Sequence, residues 1–155
     1  MIEWLQGLTE SAHPALQWAV VALAGAVPFI ESYFGSVLGI LAGVHPAVAI
    51  VAAVVGNIVS MWIFVMVAAR TRAATKADER ELTPRRARLK QRFDTWGVAG
   101  VSLLGQTLLP SQITSAAMVG FGASRSRVIL WQIVSIILWG AAFGVLALLG
   151  VTFLG

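Results

Sequence analysis

Cysteine is absent from the 155 residues, which excludes disulfides, thiolate catalysis and cysteine-ligated metals. Charge is scarce: Asp, Glu, Lys and Arg make up 12% of the chain, about half of the roughly 25% in an average soluble domain. Histidine occurs twice, as His13 and His45, each directly before a proline at the start of a segment. These are boundary residues, so no metal and no cofactor is expected. No Lys or Arg precedes Arg70, and the first residues include Glu3 and Glu10. A cleavable signal peptide opens with positive charge, so none is expected, and the apolar segments themselves would direct insertion into a membrane. The apolar sequence holds no nucleophile–base pair, phosphate-binding loop or metal cluster, and an enzyme is not expected.

What the chain has instead is apolar length. It is 58% hydrophobic with a mean hydropathy of +0.84, a composition suited to lipid as solvent. Nine of the eleven Lys and Arg residues lie between Arg70 and Arg92, and the other two are Arg125 and Arg127. The net charge of +4 does not point to nucleic acid, because neither basic stretch interleaves aromatics or carries a binding motif. Membrane topology and anionic lipid headgroups account for it.

The chain reads as two halves. Residues 14–43 are apolar but interrupted by Pro28, Glu31, Ser32 and Gly35, and His45-Pro46 is a break because a residue before proline avoids the α region. Residues 46–69 are a continuous apolar stretch, longer than the roughly 20 residues a spanning helix needs. After the charged connection, Thr83-Pro84 reads as a cap followed by proline at the first helical position. Leu89, Phe93 and Trp96 then fall on one helical face, as in a helix lying at a membrane interface. Residues 97–122 are interrupted at Gln106-Thr107-Leu108-Leu109-Pro110-Ser111-Gln112, and residues 128–154 can span. Pro28 and Gly43 correspond to Pro110 and Gly122, and Asn57 to Ser60 has a counterpart in Gln132 to Ser135. The domain plan is a first repeat over 1–69, a basic linker and interfacial helix over 70–96, and a second repeat over 97–155.

The basic loops determine the expected topology. If residues 97–122 crossed the bilayer, Arg125 and Arg127 would face the side opposite residues 70–92, against the rule that basic loops stay cytoplasmic. If residues 97–122 instead enter, turn near Pro110 and leave on the same side, every basic residue is cytoplasmic. The same logic makes 14–43 a hairpin entering from outside, with 46–69 running inward. Arms of 12–15 residues would reach about 18–22 Å into a core of about 30 Å, bringing the two tips near the midplane. The expected fold is all-α and integral to the membrane: two inverted repeats, each a reentrant helical hairpin plus a transmembrane helix, the architecture of secondary transporters.

Glu31 is the acidic residue inside the apolar sequence. An ionisable group at that depth is expensive and is a functional-site candidate by default, either binding and releasing a proton or countering a cationic substrate. Gln106, Thr107, Ser111, Gln112 and Thr114 around Pro110 offer donors and acceptors to a substrate or to the turn's own backbone. Asn57, Ser60, Gln132 and Ser135 suit hydrogen bonds between helices, with Asn57 also a candidate to line a pathway. Gly35, Gly39 and Gly43 would let helices approach closely. The substrate or proton site is therefore expected at Pro28, Glu31, Asn57, Gln106, Thr107, Pro110, Ser111, Gln112 and Thr114.

Pro28-Phe29-Ile30-Glu31, with the segment Pro110 to Gly122, resembles the bacterial small multidrug export proteins. Glu31 with Leu41-Ala42-Gly43 and Gly56-Asn57, and Leu109-Pro110 with Gly120 and Trp139, resemble the motifs of the DedA family, which shares a reentrant-hairpin plan. That family's arginine before the second proline is missing here; Gln106 is the nearest polar residue, so no Glu–Arg pair is carried over. The resemblance implies a multi-pass protein of a bacterial inner membrane, and the distribution of basic residues places residues 70–92 and 123–127 in the cytoplasm. The resemblance also implies export of a small or amphipathic, drug-like molecule; proton coupling through Glu31 is expected from that residue's depth in the apolar sequence and not from the resemblance. Translocation of a lipid or lipid carrier and a non-transporting scaffold subunit are the alternatives. The expected partners are membrane lipids, a small-molecule or lipid substrate and, given the small size, a second copy in a homodimer.

The absence of cysteine makes the topology directly testable. Single variants Ser124→Cys and Ala74→Cys should react with a membrane-impermeant maleimide from the same side of a sealed membrane. Labelling from opposite sides overturns the second hairpin.

Overall fold

The computed structural model describes residues 2–74, 84–105 and 109–154. Among them there are helices and turns and no strand. The helices are α1 (Ile2–Ser11), α2 (Gln17–Ala26), α3 (Glu31–Leu41), α4 (Pro46–Ala74), α5 (Pro84–Gly105), α6 (Ser111–Gly120) and α7 (Arg125–Leu154), with one 3-10 turn at Pro14–Leu16. Both histidines mark boundaries as expected. The His13 side chain accepts the Ala15 N–H, and the His45 carbonyl accepts the Ala49 N–H that opens α4. The Thr83 cap lies outside the described residues.

Among the described residues two helices are long and apolar enough to cross a membrane, Pro46–Thr71 and Arg125–Phe153. The core helix of a soluble protein would have its apolar face covered. Here only 39% and 22% of the most apolar windows are buried, and side chains such as Val51, Val59, Leu138 and Leu146 stand exposed. That exposure suits lipid better than water.

Contacts group the chain into two compact units, Met1–Ser60 with Ile136–Gly155, and Met61–Ser135. In the first, α2 and α3 form a helical hairpin, and α1 packs on both. Val21 near the hairpin's start and Ile40 and Val44 at its end share one buried cluster with Ala49, Ala52 and Ala53 of α4, so the segment leaves and returns to the same place. Small residues set the spacing. A Cβ on Gly25 would strike the backbone of Ala53, and one on Gly56 the carbonyl of Ala22, so α2 and α4 meet backbone to backbone. From α7, Gly140 lies against Val54 and Ser32, and Gly144 against Ile50 and Ser36.

In the second unit, α5 breaks at Gly97 (φ 64°, ψ −170°), where the expected interfacial helix gives way to the expected hairpin. Before the break Leu89 is buried and Trp96 exposed, with the Arg92 guanidinium 5.5 Å from the Trp96 ring centroid. The Phe93 and Phe121 rings lie 6.0 Å apart, so residues 97–120 also leave and return to one place. Ser135 of α7 donates its hydroxyl to the Ser102 carbonyl of α5 at 2.7 Å.

The two hairpins share local chemistry. Ser32, Ser36 and Gly43 recur 79 residues on as Ser111, Ser115 and Gly122. Ser36 bonds back to the Ser32 carbonyl, and Ser115 to that of Ser111. Each segment ends on a left-handed glycine, Gly43 (φ 81°) and Gly122 (φ 109°). The amides of Val44 and Gly43 bond the carbonyls of Gly39 and Ile40, and those of Ala123 and Gly122 bond the carbonyls of Met118 and Val119. This is the Schellman pairing that closes a helix end. Gly43 is therefore a helix terminator, and only Gly35 and Gly39 of the glycine series serve close packing.

Helix α4 runs five residues past the expected end at Ala69, and α7 starts at Arg125 instead of residue 128. The hairpin arms are shorter than expected. With 10 and 11 residues, α2 and α3 extend about 15–17 Å, because each arm gives up residues to the tip and to the terminating turn.

Packing at the α2–α4 contact gives a stability test. Gly56→Leu should lower thermal stability in detergent by about 1–3 kcal/mol through overpacking. Gly7→Ala, with open space around it, should leave stability unchanged or raise it slightly. Equal effects at both positions overturn the close contact.

Candidate functional site

Glu31 sits where the first apolar segment breaks. Helix α2 ends at Ala26, the Val27 N–H bonds the Ala24 carbonyl at 3.1 Å, and the amides of Ile30 and Glu31 both bond the Val27 carbonyl at 3.1 and 3.0 Å. The turn thus satisfies its own backbone, as a chain reversing in apolar surroundings must. The half-buried Pro28 ends α2, since it has no N–H to continue it. The turn is strained: Phe29 (φ 73°) and Glu31 (φ 54°) both occupy the left-handed region, at about 1–3 kcal/mol per non-glycine residue.

Such strain persists only where the surroundings over-determine it, and here they do. Ile30 is buried with Ala24 and Leu38. Ser32, next after Glu31, donates its hydroxyl to the Ile136 carbonyl at 2.9 Å and accepts from Ser36 at 2.6 Å. Glu31 itself is fully buried and opens α3, where the positive end of the helix dipole favours a carboxylate. Asn57, also fully buried, belongs to the same unit.

The Glu31 carboxylate lies within electrostatic reach of the Tyr33 hydroxyl, and Tyr33 belongs to an aromatic cluster. Its ring centroid is 4.8 Å from that of Phe34 and 5.5 Å from that of Phe143. Phe34 and Phe143 are 6.2 Å apart, and Trp139 is 5.8 Å from Phe143. Ring faces attract cations through their quadrupole. A carboxylate whose charge reaches one ring of such a cluster has the chemistry to hold a lipophilic cation or a proton.

The other expected site residues fall in the second unit. Pro110, Ser111, Gln112 and Thr114 are buried around the start of α6, and Gln106 and Thr107 lie outside the described residues. The Thr114 N–H bonds the Pro110 carbonyl at 2.9 Å and its hydroxyl the Leu109 carbonyl at 3.3 Å. The Ser111 hydroxyl donates to Gln112 Oε1 at 3.4 Å. Part of this polarity therefore serves the turn itself. Ser135 bonds between helices as expected, but Gln132 does not. Both polar atoms of its carboxamide and the Ser102 hydroxyl are buried with no hydrogen-bond partner among the described residues. Ser102 and the aromatic cluster escape a sequence reading, since a lone serine in an apolar stretch and aromatics some 110 residues apart give no local signal.

Among the described residues no group of three or more His, Asp or Glu side chains could hold a metal ion. No protein-family model, curated protein or solved structure matches this chain.

An unpartnered buried carboxamide is a liability for folding. Gln132→Leu is therefore expected to raise thermal stability, by about 1–3 kcal/mol. A loss of similar size would mean that the carboxamide has partners in the folded protein.

Proposed function

We propose that this chain is a multi-pass membrane transporter that exports a small amphipathic cation in exchange for a proton at Glu31. In this reading residues 14–43 and 97–122 are reentrant hairpins in two inverted repeats. The single observation that carries the function is the fully buried Glu31, held in a left-handed conformation at the tip of a broken apolar segment, with its charge felt at Tyr33 of the Tyr33–Phe34–Phe143–Trp139 ring cluster. A carboxylate without water is neutralised either by a proton or by a bound cation. The two compete for one group, which is the minimum chemistry of exchange. The rings add affinity for a lipophilic cation that a hydrated inorganic ion does not gain.

The topology draws support from within the second unit. Arg70 near the end of α4 and Arg125 at the start of α7 line one groove, as expected if the segment between them returns to the side it left. The part of α5 after Gly97 and the 10-residue α6 are each too short for a core of about 30 Å. Export, as the direction, follows from the resemblance of the Pro28–Glu31 and Pro110–Gly122 segments to small multidrug export proteins.

Translocation of a lipid or lipid carrier is the second reading. It is favoured by the neutral polar interior of the second unit, where Ser102, Gln112 and Gln132 are buried and could accept an uncharged headgroup in passage.

Proteoliposomes enclosing a pH-sensitive dye decide between them. Addition of tetraphenylphosphonium should move protons across the membrane with wild-type protein. Glu31→Gln should abolish that movement, and Glu31→Asp should keep part of it. Movement of a fluorescent phosphatidylcholine without any gradient, unaffected by Glu31→Gln, favours the lipid reading. Neither activity, with Glu31→Gln silent in the cell, favours a scaffold.

A further inference from the structure

We infer that the groove between the end of α4 and the start of α7 is a binding site for the phosphate headgroup of an anionic phospholipid. The groove has a volume of about 650 Å³ and is lined by Ala69, Arg70, Val119, Ser124, Arg125 and Ser126. That volume suits a headgroup rather than a whole lipid. Its composition is graded in the way an amphiphile requires. Ala69, the last residue of the uninterrupted apolar stretch, and Val119 present methyl groups. Arg70 and Arg125 present guanidinium groups, and Ser124 and Ser126 hydroxyls. The two arginines come from different helices, 55 positions apart in the chain.

The charge lining the groove is all positive among the described residues. Among the described residues neither arginine makes an ion pair or hydrogen bond, and no acidic side chain lines the groove. The acidic residue of the neighbouring interfacial helix, Asp94, is paired with Lys90 at 2.7 Å. Two guanidinium groups around one concavity match a phosphate, which accepts paired N–H donors. The first amides of α7 add the positive end of a 30-residue helix. The height of the groove selects the source. Arg70 directly follows the apolar stretch of α4, so the cations stand at headgroup level, where basic pockets between spanning helices hold anionic lipids.

The inference requires the chain to lie in a membrane but not that Glu31 moves a substrate. Failure of transport leaves it standing, and its own failure leaves the exchange reading untouched.

The test measures lipid retention by native mass spectrometry on detergent-solubilised protein offered equal phosphatidylglycerol and phosphatidylcholine. The wild type should retain phosphatidylglycerol preferentially, and equal retention of the two lipids overturns the site without any variant. The double variant Arg70→Gln, Arg125→Gln should lose roughly tenfold or more of the preference. Arg127→Gln, which changes an exposed residue outside the groove lining, should keep it. An equal loss in Arg127→Gln means diffuse attraction to basic loops and overturns the site. Inorganic phosphate at millimolar concentration should not displace the lipid; displacement makes this a free-anion site and overturns the lipid assignment.

Discussion

A chain that reverses direction among apolar side chains must find partners for its own amides and carbonyls, and much of this molecule follows from that requirement. At the tip of the first hairpin one carbonyl, that of Val27, serves two amides. At the base, Gly43 and Gly122 fold the last amides of their segments back onto the preceding turn. In between, Ser36 and Ser115 bond to carbonyls of their own helices. Little of this uses a distant residue. Each hairpin largely solves its solvation problem locally, which leaves its outer surface apolar.

With the backbone satisfied, packing rests on small residues. With lipid as the solvent, apolar side chains would gain nothing by leaving it, and close van der Waals contact would have to hold the helices together. Gly25 and Gly56 let α2 and α4 touch backbone to backbone, and Gly140 and Gly144 do the same for α7 against side chains of α3 and α4. That tight frame fixes Ser32 and Ile30, and they hold Glu31 in a conformation it would not choose. Strain at the carboxylate is thus sustained in part by the close approach of glycines such as Gly140, which lies against Ser32.

The sequence made the punctuation legible. Pro28, His45-Pro46, Gly97, Pro110 and Gly122 each mark a break or an end, because proline and glycine act on the backbone directly and independently of context. Glu31 was legible because a single acid in an apolar run is conspicuous. Its left-handed backbone was not, since neither Glu31 nor Phe29 is a residue type that signals positive φ. Arm lengths were overestimated because a hydrophobic run does not disclose how many residues its turns consume. The recurrence of Ser32, Ser36 and Gly43 at Ser111, Ser115 and Gly122 stood in the sequence at a constant offset of 79. It is hidden if the halves are aligned on their prolines, because Pro110 occupies the place of Glu31. The second hairpin therefore has the helix of the first without its charge.

Closing a helix with its own amides has a further effect. A helix end with open carbonyls needs water and is pinned to the depth where water begins. The ends of α3 and α6 have less of that need, because the turns at Gly43 and Gly122 pair the carbonyls of Gly39 and Ile40 and of Met118 and Val119. For α6, which shares a unit with Trp96 and Arg92, depth in a bilayer would be governed by those side-chain anchors. In a bilayer such hairpins would ride up or down with its thickness without breaking these hydrogen bonds, and thickness would become a variable to which the fold adjusts.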